Sequence, residues 1–210
     1  MKNMVLIPFL LALLSFTSHA TDDKVNNFCV ADLKGPNSPS GYQCLPPNSL
    51  TVDNFVFSLP VSNTSNPIKT GISSAFVNDF PALNGLDISA LSVIMDSGGY
   101  IPMHTHRGAT ELIIMVEGQM TAGFLTHDAS YVKTLKPGDL MVIPRGLMHF
   151  VANYGKDKVV AFAAFSSSNP GIHSFNDIFS NNLPSDILAQ TTFLDVAQVK
   201  KLKDRFHGSG

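Results

Sequence analysis

The chain has 210 residues, of which 44% are hydrophobic and 14% are charged, and its formal net charge is −2. A chain of this length and composition can bury the core of one globular domain. The nearly balanced charge excludes the strongly basic character that nucleic-acid-binding proteins typically have, so we expect no nucleic-acid partner.

The first twenty residues have the layout of a cleavable secretory signal. A basic residue is followed by the apolar run 4–14 and then by small residues that end at Ala20. The alternative is a membrane anchor, but the run is shorter than the roughly 20 apolar residues that a spanning helix needs, and Pro8 interrupts it. We therefore predict a signal peptide over residues 1–20, a mature chain that begins near Thr21, secretion, and no insertion into a membrane.

The segment after the leader contains Cys29 and Cys44, the two cysteines of the chain. In the oxidising compartment of a secreted protein, an even cysteine count favours a disulfide. The bridge would close a loop of about 15 residues. By restricting the unfolded chain, it would stabilise the folded state by about 3 kcal/mol. We predict an N-terminal arm pinned by this disulfide, with two separate buried thiols as the alternative.

A polar, turn-rich stretch lies between Pro60 and Pro67. It contains Asn63-Thr64-Ser65, which matches the acceptor sequence for N-glycosylation. Because the leader directs the chain to the secretory pathway, we predict that Asn63 is exposed and glycosylated. An unused triplet is the alternative.

Short strand-like segments follow from Ile72 onwards. Polar and apolar residues alternate in many of them, and Gly, Pro and Asp separate them. The predicted strands lie within 72–80 and 86–99 and at Glu111–Glu117, Thr121–Leu125, Tyr131–Leu135, Leu140–Ile143, His149–Asn153 and Val159–Phe165. Many short strands without a long helix between them indicate an antiparallel sandwich or barrel.

Four side chains in this region are candidate metal ligands: His104, His106, Glu111 and His149. The first two histidines are two residues apart, so in an extended run their rings leave the same face. Glu111 follows a short Gly-containing link and opens an apolar run, which we interpret as the next strand of a hairpin. His149 follows much later in the sequence, so the fold must bring it back to the other three side chains. Three imidazoles and one carboxylate suit a divalent first-row metal and leave coordination positions open; unrelated surface residues are the alternative.

Two motifs surround these residues. The first, Gly98–Gly118, resembles the first cupin motif, or box, in the form found in germins. The second, Gly138–Asn153, resembles the second cupin box. Their fixed positions are Gly98, His104, His106, Glu111 and Gly118 in the first motif and Gly138, Pro144, Arg145, Gly146, His149 and Asn153 in the second. Residues 27–32 also resemble the N-terminal box of germins. The chain therefore resembles the germin-like proteins of plants, which are manganese-binding cupins of the extracellular matrix.

The resemblance implies the fold, the cofactor and the assembly. The fold would be all-β, a cupin jelly-roll β-barrel, with Mn(II) held by the four candidate ligands. The protein would lie in the extracellular space, in the apoplast and cell wall, as a homo-oligomer, specifically a hexamer built as a trimer of dimers. We therefore predict a single germin-type domain over 21–210, divided into an arm (21–60), a barrel (61–168) and a helical C-terminal extension (169–210).

Two short helices are predicted in the extension. Ser185 could cap the first and Asp195 the second. One face of the second helix is an apolar stripe formed by Val196, Val199, Leu202 and Phe206. Basic residues lie elsewhere on this helix, namely Lys200, Lys201, Lys203 and Arg205. We interpret the basic residues as a solvated face, with a polyanion site for cell-wall pectate as the alternative, and we expect the stripe to contact a neighbouring subunit.

The candidate activities follow from an open-shell metal with open coordination positions. One is dismutation of superoxide, and the other is oxidation of oxalate, which needs further polar groups to orient the dianion. In germins that oxidise oxalate, two asparagines are associated with that role; one resembles Asn84, whereas the other position is occupied by Leu91. An apolar side chain cannot donate a hydrogen bond, so superoxide dismutation is favoured.

A third possibility is a protein that binds without catalysis, as a receptor for auxin-like ligands or as a storage or structural protein of the wall. Such a ligand would place a carboxylate on the metal and an apolar ring in a mouth formed by apolar residues. Candidates for such a mouth are Met103, Met115, Leu147, Met148 and Phe150, although plain core packing is the interpretation that we favour for these side chains. We interpret His127, His173 and His207 as surface residues.

Overall fold

The computed structural model describes residues 27–39 and 41–210. Two short strands of the arm pair with each other, β1 (Asn37–Ser38) and β2 (Gly41–Tyr42). The remaining strands are β3 (Thr70–Ala75), β4 (Ser89–Met95), β5 (Tyr100–Thr105), β6 (Glu111–Glu117), β7 (Met120–Leu125), β8 (Ser130–Leu135), β9 (Leu140–Ile143), β10 (His149–Ala152), β11 (Val159–Phe165) and β12 (His173–Ser174). The predicted signal peptide lies outside the described residues.

The strands from β3 onwards form two five-stranded sheets. One has the order β12-β5-β10-β7-β8 and the other β3-β4-β11-β6-β9, and every pairing is antiparallel. Side chains alternate along the strands, so that Leu91, Val93 and Met95 of β4 enter the core. This core also contains Val151 of β10, and it therefore lies between the two sheets. The predicted all-β fold is confirmed.

The strand predictions hold closely, with one clear difference. The observed bounds of β6, β9 and β11 are those predicted. By contrast, β3 ends at Ala75, although the strand-like pattern continues to Phe80. The chain turns there because the backbone N–H groups of Asp79 and Phe80 both donate to the carbonyl of Phe76. The polar residues that continued the alternation are therefore turn residues.

The predicted hairpin between β5 and β6 is wrong. Strand β5 pairs with β10 and β12, whereas β6 pairs with β9 and β11 in the other sheet. The link 106–110 crosses from one sheet to the other. A short polar link between apolar runs fits either connection, so the sequence pattern did not distinguish a hairpin from a corner between packed sheets. The crossing places Glu111 opposite the histidines rather than beside them.

The arm is held by the predicted disulfide. Cys29 and Cys44 are bonded, with their Cα atoms 4.9 Å apart. Backbone hydrogen bonds flank the bridge, and Ala31 N donates to Pro81 O of the barrel at 2.9 Å. The sequon residue Asn63 is exposed, and its side-chain oxygen accepts a hydrogen bond from Ser65 N. Its glycosylation stays a prediction.

The C-terminal extension contains α1 (Ser185–Thr192) and α2 (Val196–Phe206). Asp195 caps α2 as predicted, since its carboxylate accepts from Gln198 N at 2.7 Å. The predicted cap by Ser185 is wrong. Pro184 occupies the cap position, and the Ser185 hydroxyl donates to Gly210 O. No helix within the described ranges is long and apolar enough to cross a bilayer.

The apolar stripe of α2 is covered by the chain itself. Val199 is fully buried with Phe179 and Leu188, and Leu202 and Phe206 pack against the same cluster. The expectation that this stripe needs a neighbouring subunit is therefore wrong, because α1 and the segment before it already cover most of it.

Lys203 also departs from its predicted solvated position. It is buried, and its ammonium donates to the carbonyls of Asn181, Leu183 and Ser209.

Candidate metal centre

The structure brings the four predicted ligands together. His104 lies near the end of β5 and His106 directly follows that strand, while His149 begins β10 and is paired with His104. Glu111 begins β6 on the facing sheet. All four side chains are buried, and one ligand atom from each lies within 4.8 Å of those of the others. We call these four residues the ligand cluster.

Backbone carbonyls fix the tautomer of each histidine. Nδ1 of His104 lies 2.7 Å from Pro102 O, Nδ1 of His149 lies 2.9 Å from Leu147 O, and Nδ1 of His106 contacts a carbonyl of a distant segment. A carbonyl only accepts hydrogen bonds, so each Nδ1 must carry the proton. In the neutral ring, Nε2 is then left with a free lone pair, which is the form that binds a metal ion.

Glu111 provides the test of whether an ion fits. Its Oε2 lies 3.0 Å from Nε2 of His149 and 3.5 Å from Nε2 of His106. Both Glu111 Oε2 and His149 Nε2 are buried without a hydrogen-bond partner. Two acceptors at this distance repel each other and are costly to bury unless a cation joins them. The donor set therefore fits a divalent metal ion.

The environment keeps two of the imidazoles, those of His104 and His106, neutral. Burial, the main cause, together with the neighbouring His149 lowers the pKa of His104 to about 4. Burial likewise lowers the pKa of His106. Because a metal competes with protons for the same lone pairs, rings that are already neutral near pH 7 bind without first losing a proton.

The ligand cluster lies at the wall of a cavity of about 270 Å³ between the sheets. Apart from the cluster, Ser74 supplies the one polar side chain of the lining, and its hydroxyl donates to Asp79 at 2.6 Å. The rest of the lining is apolar and includes Leu91, Ile101 and Ile113. A metal in this cavity would face apolar walls rather than cations or amides.

Comparisons with known proteins agree with this geometry. The cupin family profile matches residues 59–200. A germin-like protein of Morus alba is 45% identical over 99% of this chain and 100% of its own length. The chain belongs to the germin-like proteins of the cupin family. Auxin-binding protein ABP19a of Prunus persica is 46% identical to this germin-like chain, over 96% of this chain and 97% of its own. A solved structure of recombinant oxalate oxidase in complex with glycolate covers 88% of the germin-like chain and 96% of its own, with a TM-score of 0.82 and 31% identity.

Asn84, the predicted substrate-orienting residue of this germin-like chain, lies against the arm. Its amide nitrogen donates to Tyr42 O and contacts Cys29 Sγ, both at 3.1 Å, and the residue is absent from the cavity lining. A role in orienting a substrate stays a prediction that would require these contacts to break. Leu91, by contrast, does line the cavity.

The candidate ligand mouth does not lie at this cavity, and core packing, the favoured interpretation of its residues, holds for Met115. Met103, Met115, Leu147, Met148 and Phe150 are all absent from the lining of the cavity. A register shift contributes to this difference. Two residues of β5 lie between Ile101 and His104, whereas one residue of β10 lies between their partners Val151 and His149. Such a bulge re-aims side chains, so that Ile101 and His104 both line the cavity. Pro102, which a strand interior disfavours, was the signal that sequence reasoning missed.

The other histidines that the structure describes stay outside the ligand cluster. His127, His173 and His207 are exposed, as predicted. His173 comes no closer than 3.9 Å to the Asp177 carboxylate. Sequence reasoning missed the three backbone carbonyls that contact the Nδ1 atoms of the cluster histidines. A carbonyl has no side-chain signature, so no motif could have indicated it.

Proposed function

We propose that this germin-like protein is a secreted Mn(II) protein of the plant apoplast and cell wall that dismutes superoxide. The observation that carries the proposal is the convergence of four buried donors in a cavity whose remaining lining is almost wholly apolar. A substrate that needs orienting groups finds few of them here. Superoxide needs no orienting groups, only a redox-active ion and a supply of protons, since two superoxide anions and two protons give dioxygen and hydrogen peroxide.

The chain's own residues would have three roles. His104, His106 and His149 would offer Nε2 lone pairs, and Glu111 would offset part of the charge of the ion. The apolar walls would exclude polar competitors. Manganese would supply an ion that cycles between two oxidation states. Three imidazoles bind copper or zinc at least as tightly, so metal supply during folding would decide the occupant.

The test is a matched pair of variants in the protein purified from a secreting host and loaded with manganese. The unaltered protein should consume superoxide in a stopped-flow assay and release about one hydrogen peroxide per two superoxide anions, as the stoichiometry requires. His104→Ala should lose both the metal and the activity. His127→Ala, which changes an exposed histidine, should retain both. Full activity in metal-free protein would refute the proposal.

A second candidate function is the binding of an apolar monocarboxylate of the auxin type. The observation that favours it is the cavity itself, because about 270 Å³ of mostly apolar space is far more than superoxide needs. Relatives that are named auxin-binding proteins include ABP19a and ABP20, at 46% and 47% identity. The ligand would place its carboxylate on the ion and its ring against residues such as Leu91 and Ile101.

A cavity-filling variant separates the two candidates. Ala163 is buried and lines the cavity, so Ala163→Leu should fill part of this space. If the protein binds indole-3-acetate, calorimetry should show the affinity fall about tenfold or more, while the metal content stays unchanged. If the protein is a dismutase, the variant should keep its superoxide turnover. Oxalate oxidation is disfavoured, because the cavity offers little to orient a dianion beyond the metal.

Assembly into a homo-oligomer, in particular a hexamer arranged as a trimer of dimers, is also proposed. The C-terminal stripe no longer supports it, but the outer face of the β6–β9 edge does. Leu140 and Val142 of β9 are 61% and 53% exposed, and they pair with Ile114 and Leu112 of β6. Val116 continues the same face. A contiguous exposed apolar face of this kind favours burial against a second copy.

A further inference from the structure

The three ligand histidines are not oriented in the same way. His104 and His149 donate Nδ1–H to the carbonyls of Pro102 and Leu147, each two residues earlier in the chain. His106 donates to the carbonyl of Gly171 at 2.5 Å, across a separation of 65 residues. The first two orientations are therefore set by the local backbone of their own strands. The third depends on where a distant segment lies.

That distant segment is fastened on both sides of the contact. On one side, Gly108 N donates to Pro170 O at 3.2 Å, and Pro170 is fully buried. On the other side, β12 begins at His173 and pairs with Thr105 of β5. His106 lies between Thr105 and Gly108, just as Gly171 lies between Pro170 and His173. The two stretches thus run beside each other, with the ring-to-carbonyl bond in the middle.

The same segment closes part of the cavity. Ile172, the neighbour of Gly171, lines the cavity and is 54% exposed. Ile72 of the edge strand β3 also lines it and is 43% exposed. Lining residues with this much exposure lie where the cavity opens to solvent. The carbonyl that orients His106 is therefore adjacent in sequence to the rim of the opening.

We propose that Gly171 is a positioning residue whose carbonyl holds His106 in its metal-binding tautomer. The metal centre is then incomplete within the motif residues 98–153, although all four ligands come from that stretch. It is completed by the first residues of the C-terminal extension. The proposal rests on the metal site of the proposed function but not on the reaction carried out there.

Glycine is the residue that this position favours. Gly171 has φ +64°, in the left-handed region that side chains disfavour, and a Cβ built there would meet no atom within 4 Å. Gly138, in the turn before β9, has φ +89° and equally open surroundings. Substitution with valine strains the backbone at either position, since β-branched residues are outliers at positive φ, and its Cβ has open space at both. Gly138→Val is thus a matched control for Gly171→Val.

The experiment measures manganese affinity and the histidine tautomers in both variants. Free Mn(II) is quantified by electron paramagnetic resonance in a titration of the full mature chain. Gly171→Val should weaken binding about 10–100-fold, the range typical for groups that orient metal ligands, and Gly138→Val should change it less than about threefold. Nitrogen-15 spectra of histidine-labelled protein should show the Nδ1–H form of His106 lost in the first variant only, with His104 and His149 unchanged.

The outcomes separate this proposal from the proposed function. Unaltered affinity together with an intact His106 signal in Gly171→Val overturns the positioning role, and so does an equal loss of metal in both variants. If the unaltered protein binds no manganese, the proposed function fails. The tautomer signal in the metal-free protein then still decides the role of Gly171. Should Gly171→Val not fold, Gly171→Ala with Gly138→Ala as its control gives the same comparison under milder strain.

Discussion

Replacing Glu111 with glutamine should have opposite effects on the metal-bound and the metal-free protein. Glutamine keeps the shape of the side chain and removes its charge. In the metal-free protein, the carboxylate is buried and its Oε2 has no hydrogen-bond partner. An unpaired buried charge destabilises a fold, so Glu111→Gln should leave the metal-free protein as stable as the unaltered protein or more stable. In the metal-bound protein, the same change removes the anionic ligand.

The size of the second effect follows from linkage. At a manganese concentration of 100 times the Kd, binding stabilises the unaltered protein by about 2.7 kcal/mol. Changes outside the ligand set commonly weaken binding 10–100-fold, so loss of a ligand should reach at least the upper value. A 100-fold weaker Kd leaves a stabilisation of about 0.4 kcal/mol at the same concentration. The difference corresponds to a melting temperature about 5–9 °C lower for a chain of this size.

Calorimetric melting with manganese and with EDTA tests the reversal. The control is Glu117→Gln, which makes the same chemical change at the exposed end of the same strand, β6, and should alter neither curve. If Glu111→Gln lowers the melting temperature equally in EDTA and in manganese, the carboxylate serves the fold rather than an ion. The ligand assignment would then be wrong.

Three further predictions concern pH, processing and assembly. The unfolding free energy of the metal-free protein should fall as the pH falls from about 6.5 towards 4. In this range the unfolded chain takes up a proton at His104, whereas the folded protein, in which the pKa of His104 is about 4, does not. Urea unfolding at several pH values measures this dependence, and a flat profile would contradict it. Mass spectrometry of the secreted protein should find an N-terminus near Thr21 and no free thiol, whereas free Cys29 would refute the processing scheme. Light scattering should give several times the subunit mass for the unaltered protein. Val142→Glu should reduce this mass, since a charge on the exposed face of β9 opposes burial against a second copy. A monomeric unaltered protein would refute assembly.

Sequence reasoning identified the ligand cluster because ligands have side-chain identities and fixed spacings. It also located most strands, since alternation and Gly or Pro turns are local signals. Sequence reasoning failed where two kinds of connection between strands have the same local sequence pattern. The link after His106 could close a hairpin or turn a corner between sheets, and only the pairing of β6 with β11 decides which.

Burial of the α2 stripe was equally beyond the sequence. A helix with one apolar face needs a partner, but the pattern does not say whether that partner is the same chain or another one. Here Phe179 and Leu188 cover Val199. The prediction for Lys203 failed for a similar reason. An ammonium in a basic run is usually solvated, but this one donates to the carbonyls of Asn181 and Leu183 in the segment before α1 and to that of Ser209.

The crossing between the sheets explains the composition of the candidate metal centre. His104 and His149 are paired on one sheet, and His106 directly follows β5, so all three imidazoles are supplied from the same side of the cavity. Only a residue of the facing sheet can complete the donor set from the other side, and Glu111 occupies the first position of β6, where the chain arrives after the crossing. An ion held by all four donors is bonded to both sheets. Because the donors come together only in the folded chain, metal binding would stabilise the packing of the two sheets. Loss of a donor should therefore lower both the metal affinity and the stability of the metal-bound protein, whereas the metal-free protein need not be destabilised.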